Sequence, residues 1–234
     1  MAFAGSDRDP INLVDRIAVV RRVRRAFVRP WQSRTMAATG LLLAAGAGRR
    51  MGQPKALVRD ATGRPWLTRV VRVLLAGGCD RVVVVLGAAA DEAEWLLADG
   101  LPDLTRVDVV RAHDWQAGMG ASLRAGLDAL AEAGPDAALV HLVDLPDVGA
   151  EVVARVLAAA GPGATTLARA SYDGVPGHPV LLGRDHWAGV ADAAAGDQGA
   201  RHYLAANAPT LVECGDLATG VDVDRPTPGQ RAPH

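Results

Sequence analysis

The chain has 234 residues, half of them hydrophobic, 22% charged and 4% aromatic, with a formal net charge of −1. This excludes a disordered chain, supplies ample aliphatic material for a buried sheet, and gives no overall charge suited to nucleic acid or a membrane surface. A single α/β core is the default at this length. The charge is unevenly spread: residues 1–35 hold eight Arg against three Asp, a balance of +5, which leaves −6 for the remainder. Lys55 is the only lysine among 25 basic residues. Cys79 and Cys214 show no CxxC spacing and read as two buried free thiols in a reducing compartment. No apolar run reaches the ~18–20 residues of a transmembrane helix. Asp15 and Arg16 interrupt the one stretch that imitates a signal segment, so the expected location is the cytoplasm.

In chain order, the first segment carries Ile11, Val14, Ile17, Val20 and Val23 at helical spacing with arginines between them. It reads as a short basic amphipathic helix within an extension, residues 1–35, that lies outside the folded domain. Residues 36–226 form the expected domain, and 227–234 a flexible tail of turn composition. Inside the domain, β-like aliphatic runs alternate with helical patterns, the signature of βαβ units on a mostly parallel sheet. Strands are predicted over 40–45, 81–87, 107–112, 137–143, 164–170, 179–183 and 210–214; helices over 65–77, 90–98, 120–132, 149–160, 184–194 and 197–206. The unbroken valines at 82–85 suit a strand buried on both faces. Trp66 and Trp187 fall on helical patterns, where packing is the ordinary reason for a tryptophan.

The strongest chemical signal is LLLAAGAGRRMGQPKAL, residues 41–57. A hydrophobic strand runs directly into Gly46, Gly48 and Gly52, with Arg49, Arg50 and Lys55 among them. Glycines after a strand let backbone N–H groups close on phosphate oxygens, because no Cβ intervenes and positive φ costs little. The cations then have a task, Arg as a two-pronged donor and Lys as a compact charge. This is not a Walker A loop, since Lys55 is followed by Ala56 rather than a metal-binding hydroxyl. Nor is it a dinucleotide fingerprint, since the spacing is GxGxxxG and the second strand ends Leu86-Gly87 without a ribose-binding acid.

Asp144 follows the fourth strand in HLVDLPDV, residues 141–148. A carboxylate there faces the crevice in which open α/β sheets bind ligands, and it can hold Mg²⁺. Asp222 and Asp224, in VDVDRP, would share one face of a strand, and one of them could meet Asp144 across a metal ion. Ser122 and Gly118 to Gly120 stand where a helix is predicted to begin, so Ser122 serves either as a ligand to ribose or base or as a plain N-cap. His178 precedes Pro179 at a strand entry and reads equally as pocket lining or as a structural histidine.

Together the run LAAGAGRRMGQPKAL, the acid in VDLPDV, DWQAGMGASLRAGL (114–127), GHPVLL (177–182) and VDVDRP resemble the molybdenum cofactor cytidylyltransferase group of small nucleotidyltransferases, over about residues 39–226. The resemblance implies a Rossmann-like three-layer α/β/α sandwich. It implies a loop of Leu43, Ala44, Ala45, Gly46, Gly48, Arg49 and Gly52 wrapped around a nucleoside triphosphate, with Lys55 and Arg50 as catalytic cations. It also implies Mg²⁺ on Asp144 and on Asp222 or Asp224. In that group AAG after the first strand accompanies cytidylyl transfer and GG accompanies guanylyl transfer, so Ala44-Ala45-Gly46 favours CTP over another nucleoside triphosphate. The implied acceptor is a small phosphorylated molecule such as molybdopterin, with a molybdoenzyme as recipient of the product. The chain departs from the group where Asp224 runs into RPTPG instead of a TPED-like end.

The expected reaction is attack by an acceptor phosphate oxygen on the α-phosphorus, with pyrophosphate leaving in line. Little proton transfer is needed, so the task is to gather negative charge. Two rivals are an NAD(P)H-dependent oxidoreductase of the same fold acting on a quinonoid pigment, and a non-catalytic nucleotide-binding protein that inserts a cofactor.

Overall fold

The computed structural model describes residues 38–225. The predicted amphipathic helix near the N-terminus and the predicted tail from 227 lie outside the described residues. Seven strands form one sheet: β1 (Thr39–Ala44), β2 (Arg81–Leu86), β3 (Val107–Arg111), β4 (Ala137–Leu142), β5 (Leu167–Tyr172), β6 (Val175–Gly183) and β7 (Thr210–Glu213). Six α-helices flank it: α1 (Trp66–Ala76), α2 (Ala90–Gly100), α3 (Met119–Ala133), α4 (Ala150–Ala160), α5 (Trp187–Ala193) and α6 (Arg201–Asn207).

Alternation along the strands sorts the core into two layers. Leu42, Val82, Val84 and Leu139 pack with Leu67, Val70 and Leu74 of α1, Leu97 of α2, and Val152 and Val156 of α4. Leu41, Val83, Val85 and Val140 pack on the other face with Leu123, Leu127 and Leu130 of α3, Trp187 and Val190 of α5, and Leu204 of α6. This is the expected three-layer sandwich, with the valines of β2 buried on both faces. Trp66 and Trp187 are core residues, and the Trp187 Nε1–H donates to Leu182 O at 3.0 Å. Both cysteines are free and buried. Among the described residues no helix is long and apolar enough to cross a membrane.

The sheet order is β3-β2-β1-β4-β6-β5-β7. All neighbours are parallel except β6, which runs antiparallel to both β4 and β5. The order moves outward from β1 through β2 to β3, then restarts on the other side of β1 with β4. This creates a switch point at the carboxyl ends of β1 and β4, where an open α/β sheet splits to admit a ligand.

Several boundaries differ from the sequence reading. The predicted strand at 164–170 is displaced to Leu167–Tyr172, because Thr166 closes a turn on Gly161 and Gly163 before the strand starts. The first three residues of the helix predicted at 184–194 form a 3-10 turn, and the helix predicted at 197–206 is preceded by another at Gly196–Gln198. Residues 221–224 belong to no strand.

One polar group is deeply enclosed. His141 of β4 is fully buried, its Nδ1–H donates to Leu142 O at 2.7 Å, and its Nε2 has no partner among the described residues. Burial first, and the charge of Arg69 second, bring its pKa down to about 4 despite the opposing hydrogen bond. A histidine held below its unfolded pKa stabilises the fold above ~6.5 and loses that contribution as pH falls toward its folded value. Thermal unfolding is therefore expected to show stability falling between about pH 6.5 and 4 by on the order of 3 kcal/mol, and His141→Gln should flatten that fall. His178 is shifted in the same direction, by burial first and then by His141 and Arg169, and adds to the fall.

Candidate active site

After Ala44 the chain leaves β1 through a glycine loop that closes on itself. The Gly52 N–H donates to Gly48 O at 2.9 Å, and the Lys55 N–H to Gly46 O at 3.3 Å. Gly48 sits at φ +58°, and a Cβ there would stand 1.9 Å from Gln53 O. Only glycine closes this turn. The N–H groups of Ala47, Gly48, Arg49 and Arg50 have no hydrogen-bond partner among the described residues, which leaves a row of donors for an anion. Pro54 and a 3-10 turn at Lys55–Leu57 end the loop, and burial of Ala56 and Val58 pins Lys55 in place. Gly48→Ala is expected to weaken anion binding by the loop about tenfold while barely moving the melting temperature, because the strain falls on the loop and not on the core. Calorimetry alongside thermal unfolding would check this.

β1 and β4 are direct neighbours, with Leu43 opposite Leu142, so the glycine loop and the β4 end face each other. There the Lys55 ammonium donates to Asp144 Oδ2 and, at 2.6 Å, to Asp224 Oδ1. The Arg50 Nη1–H reaches Asp224 Oδ2 at 3.0 Å. The Val223 N–H donates to Asp144 O at 2.9 Å, which lays the 222–224 segment alongside the β4 end. Asp144, Asp222 and Asp224 each offer one carboxylate oxygen, all within 4.8 Å of one another. Burial works against the charge of Lys55, but the hydrogen bonds and negative charge of the two aspartates outweigh it and hold its pKa above the ordinary lysine value. Lys55 in turn, with Arg50 adding to it, holds Asp224 below the usual carboxylate range.

Beside this cluster is a cavity of about 310 Å³, and Leu43, Ala44, Ala45, Gly46, Gly48, Arg49, Lys55, Ser122 and Asp144 all contribute to its lining. Arg50, Gly52, Asp222, Asp224 and His178 do not: Arg50 and the two late aspartates stand at the metal-type cluster, and His178 lies farther along β6. The N-cap reading of Ser122 is corrected, because Gly118 caps α3 and Ser122 falls inside the first turn. The expectation that 222–224 forms a strand is corrected too; the segment is held by backbone contact with Asp144 and brings both carboxylates in.

Among the lining residues that escaped the sequence reading are Trp115, Gln116 and Asp197. Trp115 and Gln116 sit in a 3-10 turn, Trp115–Ala117, ahead of α3, inside a segment from which only Ser122 and the glycines were singled out. Asp197 comes from the turn before α6, far away in sequence. Its carboxylate packs on Gly118, whose φ of +107° and lack of a side chain allow the two turns to meet.

An α/β sandwich with a glycine loop at its switch point is an architecture of nucleotide-binding enzymes, and the family match places this one among the nucleotidyltransferases. The model of the MobA-like NTP transferase domain matches residues 40–211, and the chain belongs to that family. It is similar to nicotine blue oxidoreductase of Paenarthrobacter nicotinovorans, 39% identical over 194 residues that make up 80% of this chain and 91% of that protein. It is also similar to molybdenum cofactor guanylyltransferase of Rhodobacter capsulatus, 34% identical over 154 residues, 65% of this chain and 66% of that one. Among solved structures, Rv0371c of Mycobacterium tuberculosis H37Rv in complex with manganese superposes with a TM-score of 0.58 at 26% identity, over 80% of this chain and 94% of that chain.

Proposed function

We propose that the protein transfers CMP from CTP to a phosphorylated acceptor of the molybdopterin kind, with Mg²⁺ as cofactor, and releases pyrophosphate. The observation that supports this above all is the placing of Lys55 between Asp144 and Asp224 at the edge of the glycine-loop cavity. Three carboxylate oxygens within 4.8 Å are a hard-donor set that fits Mg²⁺ or Mn²⁺. A divalent ion bound by Asp144, Asp222 and Asp224 would supply neutralising charge to triphosphate oxygens. In this reading the N–H groups of residues 47–50 and the Arg49 guanidinium bind the phosphates, and Lys55 stabilises the charge that grows on the departing pyrophosphate. Ser122 and Asp197 offer a hydroxyl and a carboxylate to the nucleoside, and Trp115 offers it an aromatic face. Ala44-Ala45-Gly46 favours CTP by resemblance, the relative named molybdenum cofactor guanylyltransferase supports an acceptor of the molybdopterin kind, and a molybdoenzyme as final recipient follows from the resemblance alone.

The test is a screen of ATP, GTP, CTP and UTP for pyrophosphate release with molybdopterin, with and without Mg²⁺. CTP with Mg²⁺ should give the highest rate, and absence of pyrophosphate from all four would end the reading. The relative named nicotine blue oxidoreductase favours a second reading, reduction of a quinonoid pigment by NAD(P)H. Bleaching of such a dye with loss of NADPH absorbance, and no pyrophosphate, would put that reading in place of the first.

A further inference from the structure

The loop that follows β4 is pinned from within. Val143, Leu145 and Val148 are buried, and the Arg69 guanidinium on α1 donates through Nη2 to Leu145 O at 3.2 Å and also to Pro146 O. Buried apolar anchors and bonded carbonyls hold the backbone, so the two acids interspersed among them, Asp144 and Asp147, stand on a rigid base. Asp144 turns into the Lys55 cluster, whereas Asp147 is exposed, lines no part of the cavity and does not belong to the three-acid group.

Residues 219–224 have no such base of their own. They lie in neither strand nor helix, and Thr219, Val221 and Asp222 are exposed. What ties them down is the β4 loop. Asp147 Oδ2 accepts from the Thr219 N–H at 2.6 Å and from the Thr219 hydroxyl at 2.5 Å, and Thr219 Oγ1 accepts in turn from the Val221 N–H at 3.4 Å. Farther on, the Val223 N–H donates to Asp144 O at 2.9 Å. The segment thus runs antiparallel to the loop with a tie at each end, and Asp222 and Asp224 flank the second tie. Between the ties Gly220 lies flat on the ring of Tyr172, where a Cβ would stand 2.1 Å from Cε2, and the ring is held by its hydroxyl, which donates to His178 O at 2.6 Å. A stretch without ladder partners keeps its place only through such contacts, because releasing it restores backbone entropy.

We propose that Asp147 is a positioning residue: by clasping Thr219 it sets residues 219–224 against the β4 loop, so that Asp222 and Asp224 meet Asp144 as one ligand set for a divalent ion. The consequence for the ion rests on the reading of those three acids as a Mg²⁺ site; the clasp itself does not. One rigid loop then does two tasks, carrying the most buried ligand on Asp144 and, through Asp147, placing the two that come from the far end of the chain.

The probe is Mn²⁺, which takes the same oxygen donors as Mg²⁺ and is counted free or bound by paramagnetic resonance. In the full chain, Asp147→Ala should weaken Mn²⁺ binding about tenfold, as expected for loss of hydrogen bonds to a charged acceptor. Thr219→Val changes no charge and keeps the backbone bond, and should weaken it about threefold; Thr219→Ser keeps both bonds and should match wild type. The double variant Asp147→Ala/Thr219→Val should bind no worse than Asp147→Ala, because the clasp is already open. Nucleotide binding without metal and the melting temperature should hardly move in any variant, since the glycine loop and the core are untouched, whereas a role in general stability would move both. Amide hydrogen exchange at Val223 reads the segment with no metal present and should quicken about tenfold in Asp147→Ala. The proposal is overturned if Val223 exchanges as slowly in Asp147→Ala as in wild type, if that variant keeps the wild-type Mn²⁺ affinity, or if the losses add in the double variant. Absence of Mn²⁺ binding by the wild-type chain would count against the metal reading alone, because exchange at Val223 still decides the clasp.

Discussion

Replacing Lys55 with Ala is expected to lower pyrophosphate release by ~10²–10³, the usual cost of removing one preorganised charge-stabilising donor. The loss should fall on kcat more than on the KM for nucleotide, because the N–H groups of residues 47–50 remain to bind the phosphates. Arginine should rescue poorly. Its planar fork cannot place a single compact charge between Asp144 and Asp224, which Lys55 Nζ does now. The pH profile gives a second readout. Asp224 is held below the usual carboxylate range mainly by the hydrogen bond from Lys55. A carboxylate with a depressed pKa stays ionised above its ordinary value and loses the pairing only as pH falls through its folded pKa. Without Lys55 that pKa rises, so the acid limb of the residual activity should move to higher pH. An unchanged rate and an unchanged acid limb would together remove Lys55 from the chemistry.

Asp144→Asn should cost a similar ~10²–10³ in turnover, for a different reason. Asn keeps the shape but not the charge at the most buried of the three clustered aspartates, whose side chain is 9% exposed. Lys55 would then keep only Asp224, a half-open partner at 39% exposure, and the oxygen set for a divalent ion would lose its anchor. The expected signature is a rate that recovers partly at high Mg²⁺ or Mn²⁺, with nucleotide binding by calorimetry in the absence of metal nearly unchanged. Metal titrations of pyrophosphate release would show it. A variant with the wild-type metal requirement would place the cation elsewhere.

Much of this site was legible before any coordinates. Gly46, Gly48 and Gly52 between a strand and the lone lysine mark a phosphate-type loop, because turn geometry and backbone donors are local properties. Asp144 was legible for the same reason, as an acid where a buried strand stops. Other features had no local signal. Trp115 sits in a turn whose packing depends on α3, and Asp197 reaches the cavity only because Gly118 lets the turn at Gly196–Gln198 come close. The choice between Asp222 and Asp224 was not open to sequence reasoning, since the backbone bond from Val223 to Asp144 brings both carboxylates to the cluster.

Sequence alone determined the alternation of strands and helices, the doubly buried β2, the glycine loop and the strand-end acid, because hydrophobic period and turn chemistry act over a few residues. Tertiary structure alone decided that β4 lies against β1, that β6 runs antiparallel to β4, and that residues 222–224 fold back on Asp144. These are pairings between segments dozens of residues apart. They are selected by which faces and edges the whole sheet can bury at once, and no short stretch of the chain encodes them.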